Sequence, residues 1–378
     1  MKFFLAILTL IFVLINIQQL TFCQNINSNS NLKDKFWSWT IDSYYKGANI
    51  HPFEVFTPFL ARNKIEKNDI TYLKELGANL VVANYPGVYQ YYPPYQLDSF
   101  HLRNLDRIVQ ICEEVRMPLV ISIRSGPGRS LYSFFDKLRE DEIFYQDPVA
   151  KKKYLEMCTA IADRYKHANS IVGINFLLEP HADQPVFYPE VSDSLHYEFL
   201  NELILNVRKV NAHLPIIVQP QSWGSPKKFS FLRKFNDSLI VYSFNMYFPY
   251  DFTNKKDSSE YPGFYEIDGI RVLVDSVYLV EYLSDVIKFK ETHKVPIFVN
   301  EYGGIKNKKG MVDYIRHLHQ IFIKQGFHFA LYVYKSNWGE LDGRTFGDFN
   351  YFEELKDEPS EVEGIKLLKE EFIKVWEK

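Results

Sequence analysis

Two glutamates stand at the ends of apolar runs, where residues that stop a strand follow them. Glu179 closes the run in "SIVGINFLLEPHADQP", which starts at Ser170, and Glu301 closes the run in "VPIFVNEYGG". A carboxylate that leaves water without a partner is costly, so its place at the end of a buried run needs a reason. Each glutamate is either a solvated or capping residue at the start of a loop, or part of a reactive site. Two facing carboxyl groups could supply the proton donor and the nucleophile or base that hydrolysis of a glycosidic bond requires.

The elements that must position these glutamates alternate along the chain from about Gly47 to the C-terminus. Longer amphipathic segments, predicted to be helices, separate eight short runs rich in Val, Ile and Leu. The runs are KGANIHPF, ANLVVANYP, PLVISIRS, IVGINFLLEP, PIIVQPQSW, LIVYSFNMYFP, VPIFVNEYGG and HFALYVYKSNW. Nearly continuous apolar runs are typical of strands covered on both faces, as in a parallel sheet. Eight strand–helix units without a glycine-rich turn after the first strand predict an α/β fold, a single (β/α)8 TIM barrel.

In this barrel Glu179 ends the fourth strand and Glu301 ends the seventh, so both lie on the face where barrel enzymes have their sites. A carboxyl separation of about 5–5.5 Å gives retention of configuration, and about 6.5–9.5 Å gives inversion. Helix boundaries agree with the layout. Asp147 is predicted to cap a helix that begins at Pro148, and glycines stop two other helices, at Gly77 and Gly326.

The N-terminus has the pattern of a secretory signal, with Lys2 before an apolar core, Phe3 to Ile15, that is short of the roughly 20 residues of a membrane span. We predict a signal peptide over residues 1–23, a polar spacer and lead-in over 24–40, and the barrel domain over 41–378. An uncleaved anchor, or a lipid on Cys23, is the alternative. The expected location is secreted, periplasmic or extracellular, and the expected state is a monomer with no membrane span after cleavage.

Composition and charge limit the classes of partner and cofactor that the sequence predicts. The net charge of −3 does not favour nucleic acid or an anionic membrane surface as a partner. Cys112 and Cys158 lie in helical patterns and are predicted to be buried free thiols. His317 and His319 are two residues apart and point to different faces of a helix, so no metal site is predicted. No cofactor is predicted.

Aromatic residues make up 16% of the chain, and many lie in predicted loops. Rings stack on the C–H faces of sugars, but they also pack loops onto one another. Trp223 and Trp338, at strand ends, are the better candidates for a sugar-binding surface. Tyrosines of "NYPGVYQYYPPY" are weaker candidates. His181 is a candidate ligand of a sugar hydroxyl, together with Asp183 and Asp251.

Six motifs in order resemble glycoside hydrolase family 5, the cellulase-like barrels. They are KGANI, LVISIRSGPG, GINFLLEP, VYSFNMYFP, PIFVNEYGG and LYVYK. The resemblance extends over essentially the whole chain after the signal. It implies that Glu179 is the general acid/base, that Glu301 is the nucleophile and that Tyr247 hydrogen-bonds the nucleophile.

The chain departs from the family pattern at five positions. The asparagine before the acid/base is Leu178, the strand-two arginine falls on Val82, the third-strand histidine is Arg124, the sixth-strand histidine is Asn245, and the eighth-strand tryptophan is Tyr332.

These departures remove much of the usual shell around the two acids. Arg124 could replace the missing cation, and Asn84 or Asn245 could replace the amide that binds the substrate 2-hydroxyl. The predicted substrate-binding residues are Arg124, Asn84, Asn245, Trp223, Tyr332, Trp338 and His181.

The resemblance implies a secreted, retaining glycoside hydrolase that cleaves a β-linked glucan or mannan type of polysaccharide or oligosaccharide by double displacement. Its chemistry requires no metal or organic cofactor. The alternative is a catalytically impaired barrel that binds carbohydrate. The five departures support that alternative, and the presence of both acids argues against it.

Overall fold

The computed structural model describes residues 35–51, 65–130, 142–183, 191–335, 340–341, 344–352 and 359–377. Eight parallel strands pair in chain order, and the last pairs with the first to close a barrel. The TIM-barrel prediction is therefore confirmed. The strands are β1 (Lys46–Ile50), β2 (Leu80–Tyr85), β3 (Leu119–Ile123), β4 (Ile171–Asn175), β5 (Ile216–Val218), β6 (Ile240–Met246), β7 (Ile297–Tyr302) and β8 (His328–Leu331).

Helices of the described residues follow the strands. They are α1 (Lys67–Glu75), α2 (Ser99–Val115), α3 (Pro148–Arg164), α4 (Asp193–Val210), α5 (Tyr250–Asn254), α6 (Ser276–Tyr282), α7 (Ser284–His293), α8 (Met311–Lys324) and α9 (Pro359–Trp376). A short turn, Gln221–Gly224, and a 3-10 helix, Pro226–Ser230, follow β5.

The predicted helix boundaries are confirmed. The Asp147 carboxylate accepts hydrogen bonds from the N–H groups of Val149 and Ala150 at the start of α3. Gly77 and Gly326 lie two residues after the ends of α1 and α8 and adopt φ of +94° and +66°, a conformation that favours glycine.

The half of the barrel interior nearest the strand N-termini, called the lower layer, is apolar. Its buried members are Trp39, Tyr45, Leu80, Val82, Val120, Val172, Ile217, Val241, Phe298 and Ala330. Trp39 comes from a short helix over residues 35–39 that precedes β1, and its indole N–H donates to the carbonyl of Val172 at 2.8 Å. The end of the predicted polar lead-in therefore belongs to the core.

Two residues further along the same strands, inward positions carry polar side chains, because side chains alternate between faces of a strand. This upper layer is also buried, and its amides bond to one another. Asn49 donates to the carbonyl of Asn300 at 2.8 Å, Asn84 donates to the Asn49 side chain at 2.8 Å, and Ser122 donates to the Asn300 side chain at 3.2 Å. The polar layer forms the floor beneath the glutamates at the rim.

One antiparallel hairpin, Gly263–Ile267 with Ile270–Val274, lies between α5 and α6 and was not predicted. Its two-residue turn is Asp268–Gly269, and both residues have positive φ. An Asp-Gly pair between short β-prone runs is a typical hairpin signal, so the sequence contained the information.

Cys112 and Cys158 are buried free thiols, as predicted. Within the described ranges, no helix is long and apolar enough to cross a membrane. The predicted signal peptide and residues 24–34 lie outside the described residues.

Candidate active site

Glu179 lies beyond the hydrogen-bonded part of its strand, because β4 ends at Asn175. The Asn175 side chain accepts from the N–H of Leu177, which turns the chain locally. Leu178 still donates to the carbonyl of Ile123 at 2.9 Å and keeps the segment beside β3. The prediction that Glu179 ends the fourth strand is thus correct in place, with three irregular residues between the strand and the acid.

The backbone of Glu179 is left-handed, with φ of +55°, a conformation that is costly for any residue other than glycine. Its N–H donates to the Gln219 side chain at 2.7 Å. Its carbonyl accepts from the Arg129 guanidinium and contacts the His181 ring nitrogen Nδ1, both at 2.8 Å. Hydrogen bonds on both sides of the residue hold the strained conformation, as is common at functional sites.

The Glu179 carboxylate accepts two charge-assisted or polar hydrogen bonds. Arg124 donates to one oxygen at 2.8 Å, and Asn245 donates to the other at 2.8 Å. The side chain is 12% exposed. The acid is therefore fixed in direction while it stays open to the rim.

Glu301 lies within β7, and only 2% of its surface is exposed. Tyr247 donates to one carboxylate oxygen at 3.0 Å. The guanidinium of Arg124 lies 3.5 Å from the other oxygen. One guanidinium thus contacts both glutamates, which brings the carboxyl groups of the fourth and seventh strands together over the barrel mouth.

Burial raises the pKa of the Glu301 carboxyl, and the negative charge of Glu179 raises it further, to about 8. Arg124, Tyr247 and Asn84 favour the charged form and act in the opposite direction. Burial lowers the pKa of Arg124, but the two glutamates raise it by more, so it stays a cation. Burial raises the pKa of Tyr247 well above its usual value, so its hydroxyl remains a donor. The two carboxyl groups can therefore retain one proton at neutral pH.

The structure supplies contacts for the missing family residues from other strands. Val82 lies in the lower apolar layer, whereas Asn84, the next inward residue of β2, interacts with Glu301. Arg124, on the neighbouring strand, provides the cation that Val82 does not. Leu178 is fully buried in place of the family asparagine.

Tyr332, directly after β8, also belongs to this site. Its hydroxyl forms a 3.0 Å hydrogen bond with the His51 ring, and its own ring packs edge-on against Tyr247. Burial lowers the pKa of His51 well below its usual value, and Arg124 lowers it further. A neutral imidazole therefore lies beside the cation at the end of β1.

Trp223 is partly exposed on the turn after β5, where Ser222, Trp223 and Gly224 all have positive φ. Its ring stacks face to face on His181, with centroids 3.7 Å apart and planes 4° apart. Asp183 accepts from the N–H of Ser222 at 3.0 Å and pairs with Lys228, so it holds this turn.

Several predicted sugar ligands are occupied by protein contacts. His181 is 5% exposed and is packed on Trp223. Asp183 binds Ser222 and Lys228, and Asp251 is ion-paired with Lys255.

The aromatic residues of the predicted loops also differ in burial. Tyr85, Tyr95 and Phe252 are core residues, whereas Tyr92 and Tyr250 are about half exposed, at 51% and 52%. Trp338 lies outside the described residues.

Sequence reasoning missed three residues that support Glu179. They are Gln219, Arg129 and Glu142. Arg129 and Glu142 form an ion pair at 3.0 Å with both side chains 2% exposed, and Glu142 also accepts from the N–H of His181. No motif marks them, because each contact joins separate parts of the chain. No group of three or more His, Cys, Asp or Glu that could hold a metal occurs in the part of the chain that the structure describes.

Two proteins of similar sequence are named endoglucanases. Endoglucanase C of Acetivibrio thermocellus is 23% identical over 290 residues, which is 68% of this chain and 80% of the relative. Endoglucanase C307 of Clostridium sp. (strain F1) is 22% identical over the same shares.

Solved structures share the fold. The endoglucanase Cel5A of the hyperthermophilic Thermotoga maritima superposes with a TM-score of 0.66 at 17% identity, over 89% of this chain and 99% of that one. The cellulose synthase subunit Z of Clostridioides difficile gives 0.64 at 20% identity, over 86% and 99%. The family model described as cellulase (glycosyl hydrolase family 5) matches residues 41–337, and the chain therefore belongs to glycosyl hydrolase family 5.

Proposed function

We propose that the protein is a retaining glycosidase that cleaves internal bonds of a β-linked glucan by double displacement. The observation that carries the proposal is the shared guanidinium of Arg124, which lies 2.8 Å from a Glu179 oxygen and 3.5 Å from a Glu301 oxygen. Two carboxyl groups on opposite parts of one rim, held by one cation, are the pair that this chemistry requires.

In the proposed reaction, Glu179 protonates the leaving oxygen while Glu301 attacks the anomeric carbon and forms a glycosyl-enzyme ester. Glu179 then takes a proton from water, which displaces Glu301 and releases the sugar. Attack requires Glu301 to be charged, and Arg124, Tyr247 and Asn84 favour that form. The first step therefore needs the single proton of the pair to be on Glu179 when substrate is bound.

The choice of glucan rests on the relatives, which are named endoglucanases. Cel5A of Thermotoga maritima was also solved with cellobiose and with mannotriose, so a β-mannan is the second substrate to assay. Trp223, partly exposed on the turn after β5, is the candidate for stacking on a sugar at this end of the site.

The test compares the chain from residue 24 onward with its Glu301→Gln variant on soluble β-glucan, β-mannan and aryl β-glycosides. Glu371→Gln, a buried carboxyl on α9, is the matched control. We expect hydrolysis by the wild type and the control, and none by Glu301→Gln. If the wild type and Glu301→Gln are equally inert while sugar still binds, the protein is a carbohydrate-binding barrel.

Retention is tested separately by proton NMR of the first-formed product. A retaining enzyme releases the β-anomer before mutarotation, whereas an inverting enzyme releases the α-anomer. The α-anomer would exclude Glu301 as a nucleophile and make it a base for water.

Secretion is part of the same proposal, because a polymeric glucan does not enter a cell. Expression of the full chain in a secreting host should release a protein whose N-terminus lies near Gln24. Retention in the membrane fraction would favour the anchor alternative.

A further inference from the structure

Gln219 follows directly after β5, two residues beyond Ile217 of the lower layer, and is 1% exposed. Its amide makes two hydrogen bonds across the upper layer. The oxygen accepts from the N–H of Glu179 at 2.7 Å, and the nitrogen donates to the Asn245 side-chain oxygen at 3.0 Å. Asn245 in turn donates to the Glu179 carboxylate at 2.8 Å. The three residues form a closed ring of hydrogen bonds.

The ring has only one allowed direction. A backbone N–H can only donate, so the oxygen of Gln219 must face Glu179. The NH2 group of Gln219 then faces Asn245, whose oxygen must accept. This leaves the NH2 group of Asn245 for the carboxylate. If Asn245 were turned over, its oxygen would face a carboxylate oxygen.

The same side chain also supports a strained backbone. Gln219 holds the N–H of Glu179 while Arg129 holds its carbonyl, and φ at this residue is +55°. The fold leaves space for the amide at Gly224, where a Cβ atom would lie 3.1 Å from the Gln219 nitrogen. The Gln219 carbonyl is fixed by the His196 ring at 2.9 Å.

From this ring we infer that Gln219 is a positioning residue, which sets the direction in which Glu179 presents its carboxyl to the leaving-group oxygen. It acts through Glu179 and Asn245 and touches no reacting atom. The inference rests on the proposed function of Glu179 as acid/base.

The kinetic test uses Gln219→Ala, with Gln221→Ala as the matched control. Gln221 is fully buried two residues away, but its amide donates to the Val191 carbonyl and to Asp193. For Gln219→Ala, kcat/KM should fall about a hundredfold on aryl glycosides with poor leaving groups and only a few-fold on those with good ones. The control should change both by a similar small factor.

A second variant, Gln219→Glu, nearly preserves the shape. Its carboxylate can still accept from Glu179 but cannot donate to Asn245. Protonation restores the donor, so the activity deficit should shrink as pH falls. Equal losses across leaving groups, or wild-type kinetics in Gln219→Ala, would overturn the inference.

Crystal structures of both alanine variants keep the test independent of the proposed function. In Gln219→Ala the Glu179 carboxyl should shift by about 1 Å or its backbone should leave the left-handed region, whereas Gln221→Ala should retain both. If the positions and conformations of Glu179 and Asn245 are unchanged in Gln219→Ala, the positioning role of Gln219 is refuted. An inert wild type would instead refute the proposed function, and these structures would still decide the role of Gln219.

Discussion

The lower and upper layers of the barrel interior come from the same strands but solve different problems. On β2, Val82 lies in the lower layer and Asn84 in the upper layer. Ile217 of β5 and Gln219, directly after this strand, have the same relation. Apolar side chains of the lower layer need only pack closely against one another. Each amide of the upper layer needs a hydrogen-bond partner with the correct donor or acceptor.

This difference separates stability from function within one core. The lower layer removes apolar surface from water, which is the main favourable contribution to folding. The upper layer buries polar amide side chains, which stabilise the fold less but fix one arrangement of the site. Substitutions in the upper layer should therefore alter activity first, and substitutions in the lower layer should alter stability first.

The largest expected effect is that of Glu301→Gln, which should lower turnover by more than about a thousandfold and leave the domain folded. Its stability should also exceed that of the wild type as pH rises. The folded-state pKa of Glu301 is raised from 4.5 to about 8, so its stabilising contribution is complete below 4.5 and is lost as pH approaches 8.

Glutamine does not titrate, so the difference in unfolding free energy should grow as pH rises and reach about 5 kcal/mol at pH 9. Thermal unfolding from pH 5 to pH 9 measures it. Parallel curves for the two proteins would contradict the buried, raised carboxyl.

Glu179→Ala should be next in size, with a loss of about a thousandfold on poor leaving groups. Good leaving groups need little protonation and should lose much less. Rates measured across a series of aryl glycosides show how strongly the activity depends on the pKa of the leaving group. A uniform loss would argue against an acid role for Glu179.

Arg124→Met should reduce kcat/KM by about a hundredfold, since it removes the cation that contacts both glutamates. Because Arg124 lowers the pKa of Glu301, its loss should move the acidic limb of the pH profile to higher pH. Arg124→Lys restores the charge but not the two-pronged contact, and should recover only part of the rate. An unmoved acidic limb in Arg124→Met would show that the guanidinium does not control Glu301.

The smallest effects come from exchanging residue types between the layers. Val82→Asn should cost about 2–3 kcal/mol of unfolding free energy, because its amide has no partner among apolar neighbours, with kcat little changed. Asn84→Val should cost less stability but reduce kcat about tenfold. Denaturant unfolding and kinetics on the same samples test the pair. A larger loss of kcat in Val82→Asn, together with a larger loss of stability in Asn84→Val, would contradict the functional distinction between the layers.

Much of the fold, and the placement of the two glutamates on one rim, could be predicted from the sequence. The eight runs specified the barrel, and their order brought Glu179 and Glu301 to one rim. The layering was also readable, since "ANLVVANYP" changes from apolar to polar at inward positions two residues apart. The hairpin had its Asp-Gly signal.

The support of Glu179 could not be predicted. Gln219 is 40 residues from Glu179, and Arg129 is 50 residues away. Neither lies in a motif, and their contacts depend on how the loops at the rim fold over one another. The left-handed backbone of Glu179 also has no sequence signal, because tertiary hydrogen bonds impose it on a residue that disfavours it.

That left-handed backbone at residue 179 has an evolutionary consequence. Glycine or asparagine would adopt the same conformation with less strain, so folding alone favours losing the acid there. The proposed acid/base role of Glu179 accounts for a glutamate at this position. In a lineage that no longer needed hydrolysis, residue 179 would drift towards glycine or asparagine before the barrel itself decayed.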